Sequence, residues 1–162
     1  MQYLLRPFEE GDAETLHSLT LAAIKAIGLA GYSREQVDAW AARHGDAASL
    51  QARVASGDRI FVAADEKNLP VAFSLIEPDG HLDQLYCHPE HSRQGLADRT
   101  LAAAERHARA NGIKRLYTEA SELARPAFER AGYTVTHRRE FDIAHDGRDV
   151  AIHNYAMEKT LG

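Results

Sequence analysis

The sequence predicts an α/β domain with a mixed, mostly antiparallel sheet, one parallel pair of strands and helices flanking it. Three observations carry this reading. Apolar residues first recur at helical spacing, over residues 12–56. The pattern then changes to short β-branched and aromatic runs joined by turn formers, over residues 59–88. Finally, a strand, a long helix and another strand follow one another over residues 81–119, which calls for a parallel right-handed crossover.

Residues 2–7 (QYLLRP) read as a short strand. Asp12 is placed to cap a helix running to about Gly28, with Leu16, Leu19, Ala23, Ile24 and Ile27 on one face. Ser33 and Gln36 make a capping box for a second helix carrying Val37, Trp40 and Ala41. A third helix covers residues 47–56 and stops at Gly57. The runs RIFVAA (59–64) and PVAFSLI (70–76) form a hairpin, and residues 81–88 form the next strand. Residues 91–111 read as one long helical stretch ended by Gly112, with Leu96, Thr100, Ala104 and Ala108 at spacing four. A strand at 113–119, a helix at 121–131 closed by Gly132, and two strands at 134–143 and 150–158 complete the order.

A length of 162 residues fits a single domain over residues 1–162. With 44% hydrophobic and 27% charged residues, the composition is that of an ordinary globular chain and argues against disorder. There are 24 acidic and 19 basic residues, a net charge of −5, which disfavours general nucleic-acid binding. A single cysteine, Cys87, excludes an intramolecular disulfide and a cysteine-based zinc cluster. The start MQYLLRPFEE lacks a signal-peptide pattern, and the ten-residue apolar stretch 21–30 is interrupted by Lys25. The expectation is a cytoplasmic protein with no membrane partner.

The chemically informative segment is HLDQLYCHPEHSRQGLAD, residues 81–98. It leads from a strand through a loop into a helix start, where free amides and a partial positive charge bind phosphate or pyrophosphate. Gly95 lets a ligand approach the main chain, and Arg93 adds a charge-assisted contact. Neither G-x-G-x-x-G nor a P-loop is present. Upstream, Leu82 and Leu85 fall on opposite faces by strand parity. A β-bulge between them would bring Leu82, Leu85 and Cys87 to one face and free a backbone amide; a strand buried on both faces is the alternative.

The segments LYCHPEHSRQGLA, SELARPAFERAGY and HNYAMEK, in this element order, resemble the GNAT superfamily of acetyl-CoA-dependent N-acetyltransferases over residues 4–161. The resemblance implies a GNAT-like mixed sheet with a central parallel pair flanked by helices. It also implies acetyl-CoA as co-substrate and no metal. The family's pyrophosphate loop, Q/R-x-x-G-x-G/A, falls on residues 92–97. Gly95 and Ala97 match, while Ser92 departs from Gln/Arg. By this resemblance the amides of Arg93, Gln94, Gly95, Leu96, Ala97 and Asp98 cradle the diphosphate. The strand segment Leu85, Tyr86 and Cys87 borders pantetheine and the thioester, and Ser121 stands where the family has Asn. Phe128 replaces the Tyr that often protonates the departing thiolate, and phenylalanine has no proton to donate.

Amide formation needs a neutral amine, an oxyanion donor and a departing thiolate. His81 and Asp83 are the leading candidates for the proton acceptor, with Glu119 and His88 also considered. His81 lies near a glutamate base of some family members and titrates near neutrality. Cys87 reads as a packed thiol, and His88 and His91 lack a third metal ligand. The resemblance places the acceptor, a small-molecule or peptide amine, among the first two helices and the final hairpin, where Tyr32 and Tyr155 are candidates to line it. Trp40 reads as core. Two further readings stay open: a non-catalytic acyl-CoA-binding module, motivated by Phe128, and an interaction protein that keeps only the fold. The sequence also leaves open a homodimer.

Overall fold

In the computed structural model, which describes residues 2–162, seven strands form one sheet in the order β1-β2-β3-β4-β5-β7-β6. The strands are β1 (Leu4–Pro7), β2 (Arg59–Ala64), β3 (Pro70–Ile76), β4 (His81–Cys87), β5 (Arg115–Ala120), β6 (Thr134–His145) and β7 (Arg148–Thr160). The helices are α1 (Ala13–Ile27), α2 (Arg34–Ala42), α3 (Ala47–Ala55), α4 (Leu96–Ala110) and α5 (Arg125–Arg130). All neighbouring strands pair antiparallel except β4 and β5, which are joined through α4. The expected mixed sheet with one parallel pair is therefore the observed one.

Every residue of β3 is buried, because helices cover both of its faces. Phe73 and Leu75 pack with Leu16 and Leu19 of α1 and with Leu50 of α3. On the other face Ile76 packs with Leu101 and Ala104 of α4, and Ser74 donates its hydroxyl to the Thr100 carbonyl at 2.9 Å. The spacing-four row of α4 is fully inward, with Leu96, Thr100, Ala104 and Ala108 all buried. Burying a Leu-sized side chain contributes about 2 kcal/mol, so this row fixes α4 against the sheet. The third layer of contacts holds α2 to the hairpin of β6 and β7: Val37 packs with Ile143, Val150 and Ile152. Asp146 (φ 51°) and Gly147 (φ 72°) turn that hairpin, a conformation open to Asp and Gly and costly for most residues.

The Ser33–Gln36 capping box forms as expected, with Gln36 N donating to Ser33 Oγ at 3.1 Å and Ser33 N to Gln36 Oε1 at 2.9 Å. Asp12 does not cap α1. Its carboxylate accepts from Arg6 Nη1 and from the Glu9 amide, both at 2.7 Å, and so closes the 3₁₀ turn that precedes the helix. A strand-borne guanidinium within reach outcompetes the cap role. Within the helical stretch 91–111 the regular helix opens just past Gly95, as the loop-to-helix reading expects. Pro89–His91 is a 3₁₀ turn, and α4 opens only at Leu96, because Arg93 and Gly95 adopt positive φ. By contrast, 121–124 is a turn rather than helix: Ser121 Oγ accepts from the Ala124 amide at 3.1 Å, and Pro126 sits in the first turn of α5.

Candidate active site

The parallel pair is short. His81 faces Tyr117 and Leu82 faces Thr118, and beyond these two positions β4 and β5 diverge. Thr118 Oγ1 donates to the Leu82 carbonyl at 2.7 Å and marks the apex. At the same point the β3–β4 register shifts: Leu75 faces Gln84 and Ile76 faces Leu82, so Asp83 has no opposite residue. This is the β-bulge, and it resolves the parity problem. Leu82 and Leu85 both join the cluster of Leu101 and Phe128, and Cys87 packs beside Leu96 of α4. Tyr86 points to the opposite face, against Phe73. From Asp83 onward the β4 edge facing β5 has no strand to pair with.

The divergence opens a cleft of about 420 Å³. Leu82, Leu85, Ala124 and Phe128 form an apolar wall on the α4 and α5 side. Tyr32, Trp40, Arg43, His44, Tyr86, Arg139 and His153 form a polar wall under α2 and the hairpin. Phe128 is 2% exposed and meets Tyr133 edge-on at 5.0 Å. Ser121 lines the cleft with its hydroxyl oxygen already engaged by Ala124, which leaves its proton free to donate.

At the start of α4, no hydrogen bond among the described residues uses the amides of residues 93–98; the first bonded amide is Arg99, to the Gly95 carbonyl at 3.1 Å. Gly95 has φ 73°, and a Cβ there would meet nothing within 4 Å. Glycine is thus required by backbone conformation and not by crowding within the protein. Leu96 anchors the turn among Ala63, Val71 and Ala72, and Asp98 is tied to Arg130 of α5 at 3.0 Å. The result is a fixed run of amides at the positive end of a 15-residue helix.

His81 is not on the cleft wall; Glu119 and Asp83 are. Its Nε2 lies 2.8 Å from Glu119, its Nδ1 bonds Glu77, and its ring stacks on Tyr117 at 4.7 Å. Burial opposes its charge, but the hydrogen bonds to Glu119 and Glu77 outweigh that and push its pKa up to about 9. His81, expected as a candidate proton acceptor, thus lies behind Glu119 and off the cleft wall, with its charged form favoured at neutral pH. Glu119 is held below the usual carboxylate range by the His81 hydrogen bond first, against some desolvation, and then by the His81 and Arg139 charges. Asp83 is bound by Arg53 at 2.5 Å, and Arg53 also reaches Asp58 and Glu77. Glu77, His81 and Asp83 offer ligand atoms within 4.8 Å of one another, but these bonds already engage them.

Tyr32 lines the cleft as expected, and its hydroxyl is fixed by donating to the His153 carbonyl and accepting from the Glu122 amide, both at 2.9 Å. Tyr155 does not line it. Its hydroxyl bonds Glu122 and its ring lies under Arg125 at 4.5 Å, so this expectation is corrected. Trp40 packs edge-on against Tyr32 at 5.6 Å and also borders the cleft. Sequence reasoning missed His44, whose Nε2 lies 3.0 Å from Tyr86 Oη. Burial lowers its pKa to about 4, which favours the neutral ring beside the Tyr86 hydroxyl. Arg43, Arg139 and Asn154 were also missed; no spacing motif joins them to the rest. Burial pushes the Cys87 thiol up to about 11, which fits a packed thiol and not a nucleophile.

A family model of the acetyltransferase (GNAT) domain matches residues 29–146. No curated protein sequence matches this chain. Among solved structures, a GCN5-related N-acetyltransferase from Rhodopseudomonas palustris, also named a class-II aminotransferase, is 31% identical with a TM-score of 0.85, over 99% of this chain and 97% of that one. The PaiA N-acetyltransferase of Thermoplasma acidophilum, solved with coenzyme A, is 19% identical with a TM-score of 0.78, over 99% of this chain and 100% of that one. A GNAT phosphinothricin acetyltransferase from Sinorhizobium meliloti, solved with acetyl-CoA, is 16% identical with a TM-score of 0.74, over 100% and 90%. With the domain model matching residues 29–146, well over half of its length, and a 31% identical neighbour aligned over 99% of it, this chain belongs to the GNAT acetyltransferases.

Proposed function

We propose that this protein transfers the acetyl group of acetyl-CoA to the primary amine of a small molecule or peptide, by direct attack through a tetrahedral intermediate. One observation carries the reading: six consecutive unbonded amides, residues 93–98, stand one loop beyond a strand whose unpaired edge borders the cleft. Such a run suits a diphosphate, and Arg93 adds charge beside it. The bare β4 edge at Leu85 and Cys87 suits the amides of the pantetheine arm, and Leu85, Ala124 and Phe128 suit its methylenes. The neighbours solved with coenzyme A or acetyl-CoA support the same ligand. Bound there, acetyl-CoA supplies an activated carbonyl.

The chain's own groups divide the remaining work. Glu119 faces the cleft and draws in an ammonium, with Asp83, paired to Arg53, beside it. Glu119 accepts its proton, while His81 orients Glu119 and connects it to Glu77. A main-chain amide of the bulged strand stabilises the oxyanion. Phe128 excludes water and donates nothing, so the thiolate leaves unprotonated and takes its proton from solvent.

Thiol release measured over a broad panel of amines, beside calorimetry of acetyl-CoA binding, tests this. Turnover with at least one amine is expected. Binding without turnover anywhere on the panel would instead support the non-catalytic acyl-CoA-binding module that Phe128 motivates. Absence of binding leaves neither reading.

A further inference from the structure

Three arginines border the cleft, and only one is paired. Arg53 is engaged by Asp58, Asp83 and Glu77. Arg43, just past α2, has its guanidinium carbon 5.7 Å from the centroid of Phe141. Arg139, on β6, has its own 5.2 Å from the same ring. Neither makes an ion pair among the described residues, whereas the next residue, Arg138, reaches Glu140. Arg139 spends one donor on Asn154 Oδ1 at 3.1 Å and keeps the rest of its fork. An aromatic ring beside two guanidiniums holds them in place without neutralising them.

The strand registers say where this pair lies relative to the chemistry. Arg139 is opposite Asn154 on β7, and Glu119 is opposite Ala156 on the same strand. Opposite residues share a face, as do residues two apart on one strand. Glu119 and Arg139 therefore project to the same side of the sheet, across β7 from each other. A carboxylate lies at one end of the polar wall and unpaired guanidiniums at the other.

We propose that Arg43 and Arg139 form an oxyanion clamp, so that the acceptor is a zwitterionic amine: its ammonium at Glu119 and Asp83, its carboxylate or phosphonate between the two arginines. This rests on the amine-acetylation reading above and narrows it from any primary amine to one of amino-acid type. A polycationic amine is disfavoured by the same two charges.

The test is calorimetric binding to protein saturated with coenzyme A, with thiol release from acetyl-CoA measured in parallel. The probes are amino acids, each against its carboxamide, and aminoalkylphosphonates, each against the parent alkylamine. The oxyanion-bearing member should bind about 10- to 100-fold more tightly in the carboxylate series, the phosphonate series or both, the effect of charge-assisted hydrogen bonds in a partly desolvated site. Arg139→Gln and Arg43→Gln should each reduce that ratio, the double variant should bring it near unity, and Arg139→Lys should restore part of it. Circular dichroism and melting temperature verify that each variant is folded. Equal binding within every pair, no binding by any oxyanion-bearing member, or a ratio that survives the double substitution overturns the clamp. Preferential binding with no thiol release leaves the clamp standing and rejects acetylation. Thiol release without preference does the reverse.

Discussion

The two walls of the cleft are built from different parts of the chain. On the α4 side the working groups are main-chain: six unbonded amides at residues 93–98 and the bare edge of β4 past the bulge. On the α2 and hairpin side they are side chains: Arg43, His44, Trp40, Arg139 and His153, brought together by packing. A wall of amides depends on backbone conformation and tolerates changes of side chain. A wall of side chains keeps the fold under substitution and changes its ligand. The first suits a constant donor, the second a family-variable acceptor.

Breaking the amide wall should have the largest effect. Gly95→Glu places a charged side chain at φ 73° and a carboxylate beside the proposed diphosphate position. Coenzyme A affinity measured by calorimetry should fall at least ~100-fold, while the backbone strain costs only about 1–2 kcal/mol of stability. Glu119→Gln comes next. It removes the proposed proton acceptor on the cleft wall and should lower kcat/KM by about 10²-fold with coenzyme A affinity unchanged.

Two histidines, His81 held behind Glu119 and His44 on the polar wall, behave oppositely, and urea unfolding at several pH values separates them. His81 is raised to about 9, so its contribution is full below pH 6.5 and is lost as pH rises through 9. Screening by solvent reduces this to about 1–2 kcal/mol. His44 is lowered to about 4, so the folded state loses stability as pH falls from 6.5 towards 4. His81→Gln should flatten the alkaline decline, and His44→Gln the acid one. A decline of unchanged steepness in either variant assigns the titration to another group. The smallest effect belongs to Phe128→Tyr. If the thiolate leaves without an acid, the new hydroxyl should change kcat by no more than about threefold; a much larger rise would mean that protonation limits the reaction.

The main-chain wall was legible in the sequence and the side-chain wall was not, for a physical reason. Gly95 before an amphipathic row, and the parity conflict among Leu82, Leu85 and Cys87, are local signals. Local backbone conformation is what short-range sequence encodes. Arg43 and Arg139 lie almost a hundred residues apart, and they meet at Phe141 only because α2 packs on the hairpin and the hairpin adopts one register. His81 stands at the head of the bulged strand, as the sequence predicts, but its raised pKa is not legible from neighbouring residues in the sequence. The carboxylates that charge it come from the adjacent turn and from β5. Asp12 failed as a helix cap for a similar reason: its partner Arg6 is nearby in sequence, yet only the turn between them brings the two together.

Amide hydrogen exchange across residues 93–98, with and without coenzyme A, bears most directly on the main-chain grip. Ligand should slow exchange at these six amides by at least ~100-fold, with the rest of α4 little changed. Unaltered exchange there at saturating coenzyme A would place the diphosphate elsewhere on the protein.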